Sequence, residues 1–242
     1  MITRLTLQNF GPFDVQSIEL APLTLLAGYN YTGKSTILRA IEGLSTWDID
    51  TQDMYMMDYM KRRTAGDKSS VRLGCIVMGE SISLELNYKD GEPIPCQLSN
   101  INTGNFPKAD IRTPGRNSKL DKFWCSTYLK DYKGILLLDQ PEAFLHQREQ
   151  TLLGKALADK VAGGGIQIIV ESHSEHIFNG IRIAIKQGML TPDKFMAFNF
   201  SRNDVGISHT EKVTVEKDGG CDNWPNGFFG QSDTDYQELF GF

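Results

Sequence analysis

Residues 23–44, LTLLAGYNYTGKSTILRAIEGL, decide how this chain is read. The stretch opens on an apolar run that ends in Gly28. From Lys34 onward, Ile37, Leu38, Ile41 and Leu44 recur at the three-and-four spacing of one helical face. Between the two lies Gly28-Tyr29-Asn30-Tyr31-Thr32-Gly33-Lys34-Ser35, which satisfies GxxxxGK[ST] at every position. Strand, glycine loop, helix is the context that gives this pattern physical meaning. Glycines let backbone N–H groups point inward, the helix N-terminus adds partial positive charge, a lysine reaches the outer phosphates, and a serine hydroxyl ligates Mg²⁺. The expected triphosphate cradle is Gly28, Asn30, Thr32, Gly33, Lys34, Ser35 and Thr36.

Composition narrows what surrounds the cradle. The chain has 242 residues, with 25 Lys+Arg against 30 Asp+Glu, a net charge of −5, 40% apolar and 23% charged residues. These are the proportions of a folded globular protein, and the acidic balance disfavours a bulk electrostatic nucleic-acid binder. No apolar run reaches membrane-spanning length, and MITRLTLQNF alternates instead of presenting a leader, so no membrane partner and a cytoplasmic location are expected. Cys75, Cys96, Cys125 and Cys221 are widely spread without a CxxC pair and read as reduced thiols.

Upstream of the cradle, Leu5 and Leu7 share one face of a strand. A turn at residues 9–14 and short strands at 17–20 and 23–27 follow. Residues 71–77 and 81–88 alternate as a hairpin. Residues 45–70 are irregular, and residues 99–122, rich in Asn, Thr, Pro, Gly and basic side chains, read as a long loop. The run at 134–138 is continuously apolar, as in a strand buried on both faces, and 166–170 reads as another buried strand. Helices are expected over 148–162 and from a Ser174 cap to Gly188. Strands near 195–200 and 208–215 precede a Gly-, Asn- and Asp-rich tail, where Trp224, Phe228 and Phe229 are expected to dock on the core. Buried strands alternating with helices imply an α/β fold. The domain expected is single, spanning 1–242, with an antiparallel β lobe within about 1–23 and 71–100 and variable segments at about 45–70 and 100–133.

A triphosphate cradle needs an acid on a neighbouring strand to hold Mg²⁺ through its water shell. Asp139, ending Ile135-Leu136-Leu137-Leu138, is that candidate. The chain continues Gln140-Pro141-Glu142-Ala143-Phe144-Leu145-His146, and the next apolar strand ends in Glu171-Ser172-His173-Ser174. His173 and His176 with Glu171 and Glu175 form an alternative metal set, but they lack HExxH geometry.

Gly28 to Ser35, DQPEAFLHQREQ and ESHSEHIFNGIRIAIKQG resemble the compact ABC-type AAA-family ATPases related to RecF, SMC heads and the OLD (overcoming lysogenization defect) family. The likeness is greatest to a bacterial subgroup whose second motif reads roughly E-[NQ]-P-E-x-H-L-H-P. It covers about residues 1–44 and 133–230. It implies a P-loop NTPase fold of ABC-ATPase head type, a mostly parallel core sheet flanked by helices with a small antiparallel lobe, binding ATP and Mg²⁺. Carried over by position, Lys34 and Ser35 bind phosphate and Mg²⁺, Asp139 is the Walker B acid, His173 senses the γ-phosphate, and Glu142 or Gln140 orients the attacking water. The chain departs from the family at Gln140, where many members have glutamate, and at Phe144 and Gln147, where the subgroup has histidine and proline.

The expected function is an ATP-binding, slowly hydrolysing head that forms a homodimer or higher homo-oligomer on nucleotide. It would control a separate effector protein, such as a nuclease, in anti-phage defence or DNA repair. The alternative is a nucleotide-dependent scaffold or sensor with little turnover. A small-molecule kinase leaves the PEAFLH and ESHS elements without a role. The spacing from Lys34 to Asp139 leaves no room for long heptad arms, and the chain after His173 leaves none for an appended nuclease. Gly115-Arg116-Asn117-Ser118 is the nearest candidate for a signature segment, and Gln52 for a Mg²⁺-sensing glutamine. Basic clusters at Lys61, Arg62, Arg63 and Lys68 and at Arg112, Arg116, Lys119 and Lys122 could contact a nucleic-acid partner, but on an acidic chain with no aromatic interleaving they are more often solvated faces.

Overall fold

Alternation at the start of the chain makes β1 (Ile2–Phe10) one-sided: Ile2, Leu5, Leu7 and Phe10 are buried while Thr3, Arg4 and Thr6 face outward. In the computed structural model, which describes residues 1–46, 70–89, 92–99, 109–112, 132–225 and 228–241, β1 turns back through Asn9 and Gly11 at φ 54° and 52° into β2 (Phe13–Glu19). With β4 (Ser70–Val77), β5 (Glu80–Lys89) and β6 (Glu92–Ser99) these strands form an antiparallel sheet of order β2-β1-β4-β5-β6.

The second sheet is built from β3 (Leu23–Gly28), β7 (Ala109–Arg112), β8 (Gly134–Asp139), β9 (Ile166–Glu171), β10 (Phe195–Arg202) and β11 (Ser208–Val213). Its order is β11-β10-β3-β9-β8-β7, parallel throughout except for the β10–β11 edge. Strands β3, β8 and β9 are apolar on both faces because both faces are covered. On one side, α1 (Lys34–Thr46) and the antiparallel sheet bury Ile37, Leu38, Ile41, Leu7 and Phe13 with Leu26, Leu137 and Ile169. On the other, α2 (Gln147–Ala162) and α3 (Glu175–Lys186) bury Leu153, Leu157, Ile177 and Ile181 with Leu25, Leu138 and Ile168. Each such aliphatic side chain contributes about 1.5–3 kcal/mol.

Polar and close-packed contacts fix how these layers meet. The buried Gln167 side chain accepts from Ile2 N–H at 2.8 Å and donates to the carbonyls of Ile2 and Ala21 at 2.7 and 3.1 Å, pinning the chain start to β9. Helices α2 and α3 cross at Gly154 and Gly180, where a Cβ would lie 2.2 Å from the Ile177 carbonyl and 2.3 Å from that of Thr151 respectively. Phe178 on α3 meets the tail rings Trp224, Phe228 and Phe229 at centroid distances of 5.9, 5.1 and 5.8 Å. Phe228 is fully buried, so the tail docks on the core as its aromatic residues suggest.

Three elements differ from the sequence reading. Residues 92–99 form a strand despite Pro93 and Pro95, because β6 ends its sheet and an edge strand tolerates residues that cannot donate. The four-residue β7 interrupts the stretch read as a long loop, and it is too short to show a period. The tail carries α4 (Gln231–Phe240). Gln52, Gly115-Arg116-Asn117-Ser118, residues 47–69 and the basic clusters apart from the backbone of Arg112 lie outside the described residues.

Candidate functional site

The site forms where β3, β8 and β9 end together, on the face that carries α1. Leaving β3, the chain turns through Gly28 at φ 119°, Tyr31 at 62° and Gly33 at 98° before entering α1. Glycine is required twice by space as well as by φ: a Cβ at Gly28 would sit 2.2 Å from the Phe200 carbonyl, and one at Gly33 would sit 2.7 Å from the Phe13 ring. Tyr31 holds the left-handed conformation with a bulky side chain, 89% exposed, a strained state of the kind that concentrates at functional sites.

Lys34 closes the loop on itself. Its ammonium donates to the carbonyls of Gly28 at 3.1 Å and Tyr29 at 2.6 Å, and Thr32 Oγ1 donates to the same Tyr29 carbonyl at 2.7 Å. Burial lowers the Lys34 pKa, and the nearby Glu171 carboxylate opposes that shift. No acidic side chain occupies the first turn of α1, so nothing there competes with an incoming anion for its amides.

Register sets the acids. Asp139 on β8 pairs with Glu171 on β9, two residues on from the Leu137–Ile169 pair that packs beneath α1. Glu171 is 3% exposed and lies beside the Ser35 hydroxyl, while its Oε2 has no partner. Burial and the Asp139 charge push its carboxyl above the usual range. Gln140, at φ 47°, donates its backbone N–H to the Glu171 carbonyl at 2.9 Å.

Glu142 is turned to the next segment: Oε1 accepts the His173 backbone N–H at 2.7 Å, and the Ser172 hydroxyl lies close to the carboxylate. Burial, ahead of the Asp139 charge, raises its pKa. The His173 ring lies near the Gly28 backbone, and burial together with Lys34 lowers its pKa, favouring a neutral imidazole. Gln150 completes the lacing by donating to the Leu145 carbonyl at 2.8 Å and accepting from Ser174 Oγ at 2.5 Å. His146 caps α2 in a capping box with Glu149, and Gln147 takes the first helical position, where proline would also fit.

A cleft of about 700 Å³ results. Asn30, Thr32, Gly33, Lys34, Ser35 and Thr36 line it on one side, and Gln140, Glu171 and His173 on another. Asp139 stands beside Glu171 in the sheet, and neither Asp139 nor Glu142, which faces the His173 backbone, is among the residues that line the cleft. Gly11, Pro12, Tyr31 and Arg202 complete the lining, and the sequence does not single them out. Glu171 carries the same signal as Asp139, an apolar strand ending in an acid, and is legible in that sense. Arg202 has no local signal and reaches the site only because β10 lies beside β3.

The residues present suit a triphosphate and a hard divalent cation. The cradle has N–H and ammonium donors, and the cation side has only oxygen donors, one of them buried and unpartnered. Among the described residues no group of three or more His, Cys, Asp or Glu side chains forms a metal cage of its own, which leaves the His173–His176 metal alternative without support.

Comparison with known proteins bears on the fold. A family described as an AAA domain matches residues 4–123, and one described as a protein of unknown function (DUF3696) matches residues 190–239. The cytochrome c biogenesis ATP-binding export protein CcmA of Rhodopseudomonas palustris (strain BisB5) is 28% identical over 179 residues, spanning 67% of this chain and 84% of that protein. The SMC head domain from Thermotoga maritima superposes with a TM-score of 0.55 at 15% identity, covering 89% of this chain and 99% of that one. An Smc head bound to the C-winged helix domain of ScpA gives 0.57 at 12% identity, covering 89% and 98%. The Smc head bound to the C-terminal domain of ScpA derived from Pyrococcus furiosus gives 0.53 at 10% identity, covering 88% and 96%. The chain has the α/β P-loop fold of an SMC head.

Proposed function

We propose that this chain binds ATP with Mg²⁺ and hydrolyses it slowly as an ABC-type head. It pairs with a second copy on nucleotide and controls a separate effector protein, in anti-phage defence or DNA repair. One observation carries the reading: Lys34, Ser35, Gln140, Glu171 and His173 line a single cleft although they lie far apart in the chain. The settings rest on resemblance alone, and the effector draws support from the two Smc heads described with ScpA domains bound.

In this reading the amides of residues 30–36 hold the phosphates and Lys34 exchanges its carbonyl contacts for phosphate oxygens. Ser35 and Asp139 hold the cation, which when bound neutralises charge on the phosphates. Gln140 orients water with its amide, and neutral His173 offers an N–H to the γ-phosphate. Glu142 positions His173 through the backbone. Because phosphoryl transfer is loose, a glutamine that places water suffices for slow turnover. Exposed Tyr29 and Tyr31 flank the cradle, 65% and 89% exposed, and suit a face that a second copy covers.

Purified protein with Mg²⁺·ATP is expected to release phosphate slowly and to shift toward twice its 27.1 kDa mass. Lys34→Ala should do neither, having lost a charged contact equivalent to roughly tenfold to a hundredfold in affinity. The second reading, a nucleotide-held scaffold, is favoured by the amide of Gln140 at the cleft where a carboxylate would assist hydrolysis. ATP-dependent dimers without phosphate release above the Lys34→Ala control would select it.

A further inference from the structure

We propose that Glu171 is a second carboxylate anchor, beside Asp139, for the divalent cation of the bound nucleotide, and that it makes nucleotide binding conditional on that cation. The inference rests on the nucleotide reading above and deepens it.

Four observations converge. Glu171 ends β9 in register with Asp139, on the sheet face that meets the first turn of α1. It lies beside the hydroxyl of Ser35, the oxygen that a phosphate loop offers to its metal. Its side chain is 3% exposed, lines the cleft, and leaves Oε2 without a partner. The neighbouring cation, Lys34, gives its hydrogen bonds to the Gly28 and Tyr29 carbonyls instead of to Glu171.

A carboxylate buried next to another acid is costly without a compensating positive charge. As a brace for Ser35, an amide or hydroxyl would serve without that cost. The charge gains a purpose when a divalent cation arrives. No stand-alone cage exists among the described residues, so the cation must come with phosphate oxygens to complete its coordination. Two adjacent carboxylates then discriminate: they repel a bare triphosphate and attract one that carries its metal.

The test is calorimetric titration of ATP, with Mg²⁺ or with EDTA, into wild type, Glu171→Gln and Glu171→Asp, each checked for folding by circular dichroism. Glu171→Gln keeps the shape and an acceptor for Ser35 but loses the charge. It is expected to bind Mg²⁺·ATP about tenfold more weakly than wild type and metal-free ATP about tenfold more tightly. Glu171→Asp keeps the charge but withdraws it, so Mg²⁺·ATP should weaken while metal-free ATP stays as weak as in wild type. If Glu171→Gln fails to fold, the Asp variant decides. Parallel loss of both affinities, or an unchanged ratio between them, would overturn the proposal while leaving ATP binding intact. Wild type that binds ATP under neither condition would remove the nucleotide reading itself.

Discussion

Glu142 shows what a single side chain contributes and why its role is not evident in the sequence. Its spacing from Asp139 fits either a catalytic or a helix-start carboxylate. The structure turns it to the backbone of His173, so its work is to tie the end of β8 to the segment after β9. That tie has a pH signature. Burial raises the Glu142 pKa above its ordinary 4.5, so the native state holds this proton more tightly than the unfolded chain does. Its contribution to stability is therefore most favourable below 4.5 and declines as pH rises through the raised folded value. Glu142→Gln removes the titration. Thermal melts should show the stability of the variant relative to wild type climbing from about pH 4.5 upward and then levelling. A difference that is flat with pH would contradict this account. At the same scale Cys75 is inert by burial, its thiol pushed up to about 12, as the absence of a CxxC motif suggests.

Individual elements were legible where one physical signal dominated. Strands β3, β8 and β9 announce themselves as mostly apolar runs, α1 by its period, and α3 by the Ser174 cap, whose Oγ accepts Ile177 N–H at 3.2 Å. β6 was hidden because prolines veto a strand locally, and only its position at a sheet edge lifts the veto. The α2–α3 crossing was hidden for a different reason: Gly154 and Gly180 look like weak points within helices until the helices are placed together. Close approach there makes a prediction. Gly180→Ala puts a methyl 2.3 Å from the Thr151 carbonyl, and should destabilise the fold by about 1–3 kcal/mol in urea unfolding despite alanine's better helix propensity. A neutral or stabilising result would show that the helices separate at little cost. Because Thr151 lies one residue beyond Gln150, whose side chain holds Ser174, a shift at this crossing reaches the His173 segment directly.

At the scale of the molecule, the topology is what makes a site from distant residues. Parallel connections carry β3, β8, β9 and β10 to the same edge, so Lys34, Glu171 and Arg202 line one cleft, with Asp139 paired beside Glu171 on the next strand, although the sequence scatters them. The phosphate loop was readable from its motif, and Asp139 only as an acid that ends an apolar strand. Glu171 was in view only as part of a metal alternative, and Arg202 is a product of strand order alone. The account stands on one convergence, of the loop amides and ammonium near the chain start with an acid more than a hundred positions later. Equilibrium titration of Mg²⁺·ATP into wild type, Lys34→Ala and Asp139→Asn tests it most directly. Saturable binding of one nucleotide per wild-type chain is predicted, weakened roughly tenfold or more in each variant. No saturable binding by wild type, or Asp139→Asn binding Mg²⁺·ATP as tightly as wild type, would contradict it.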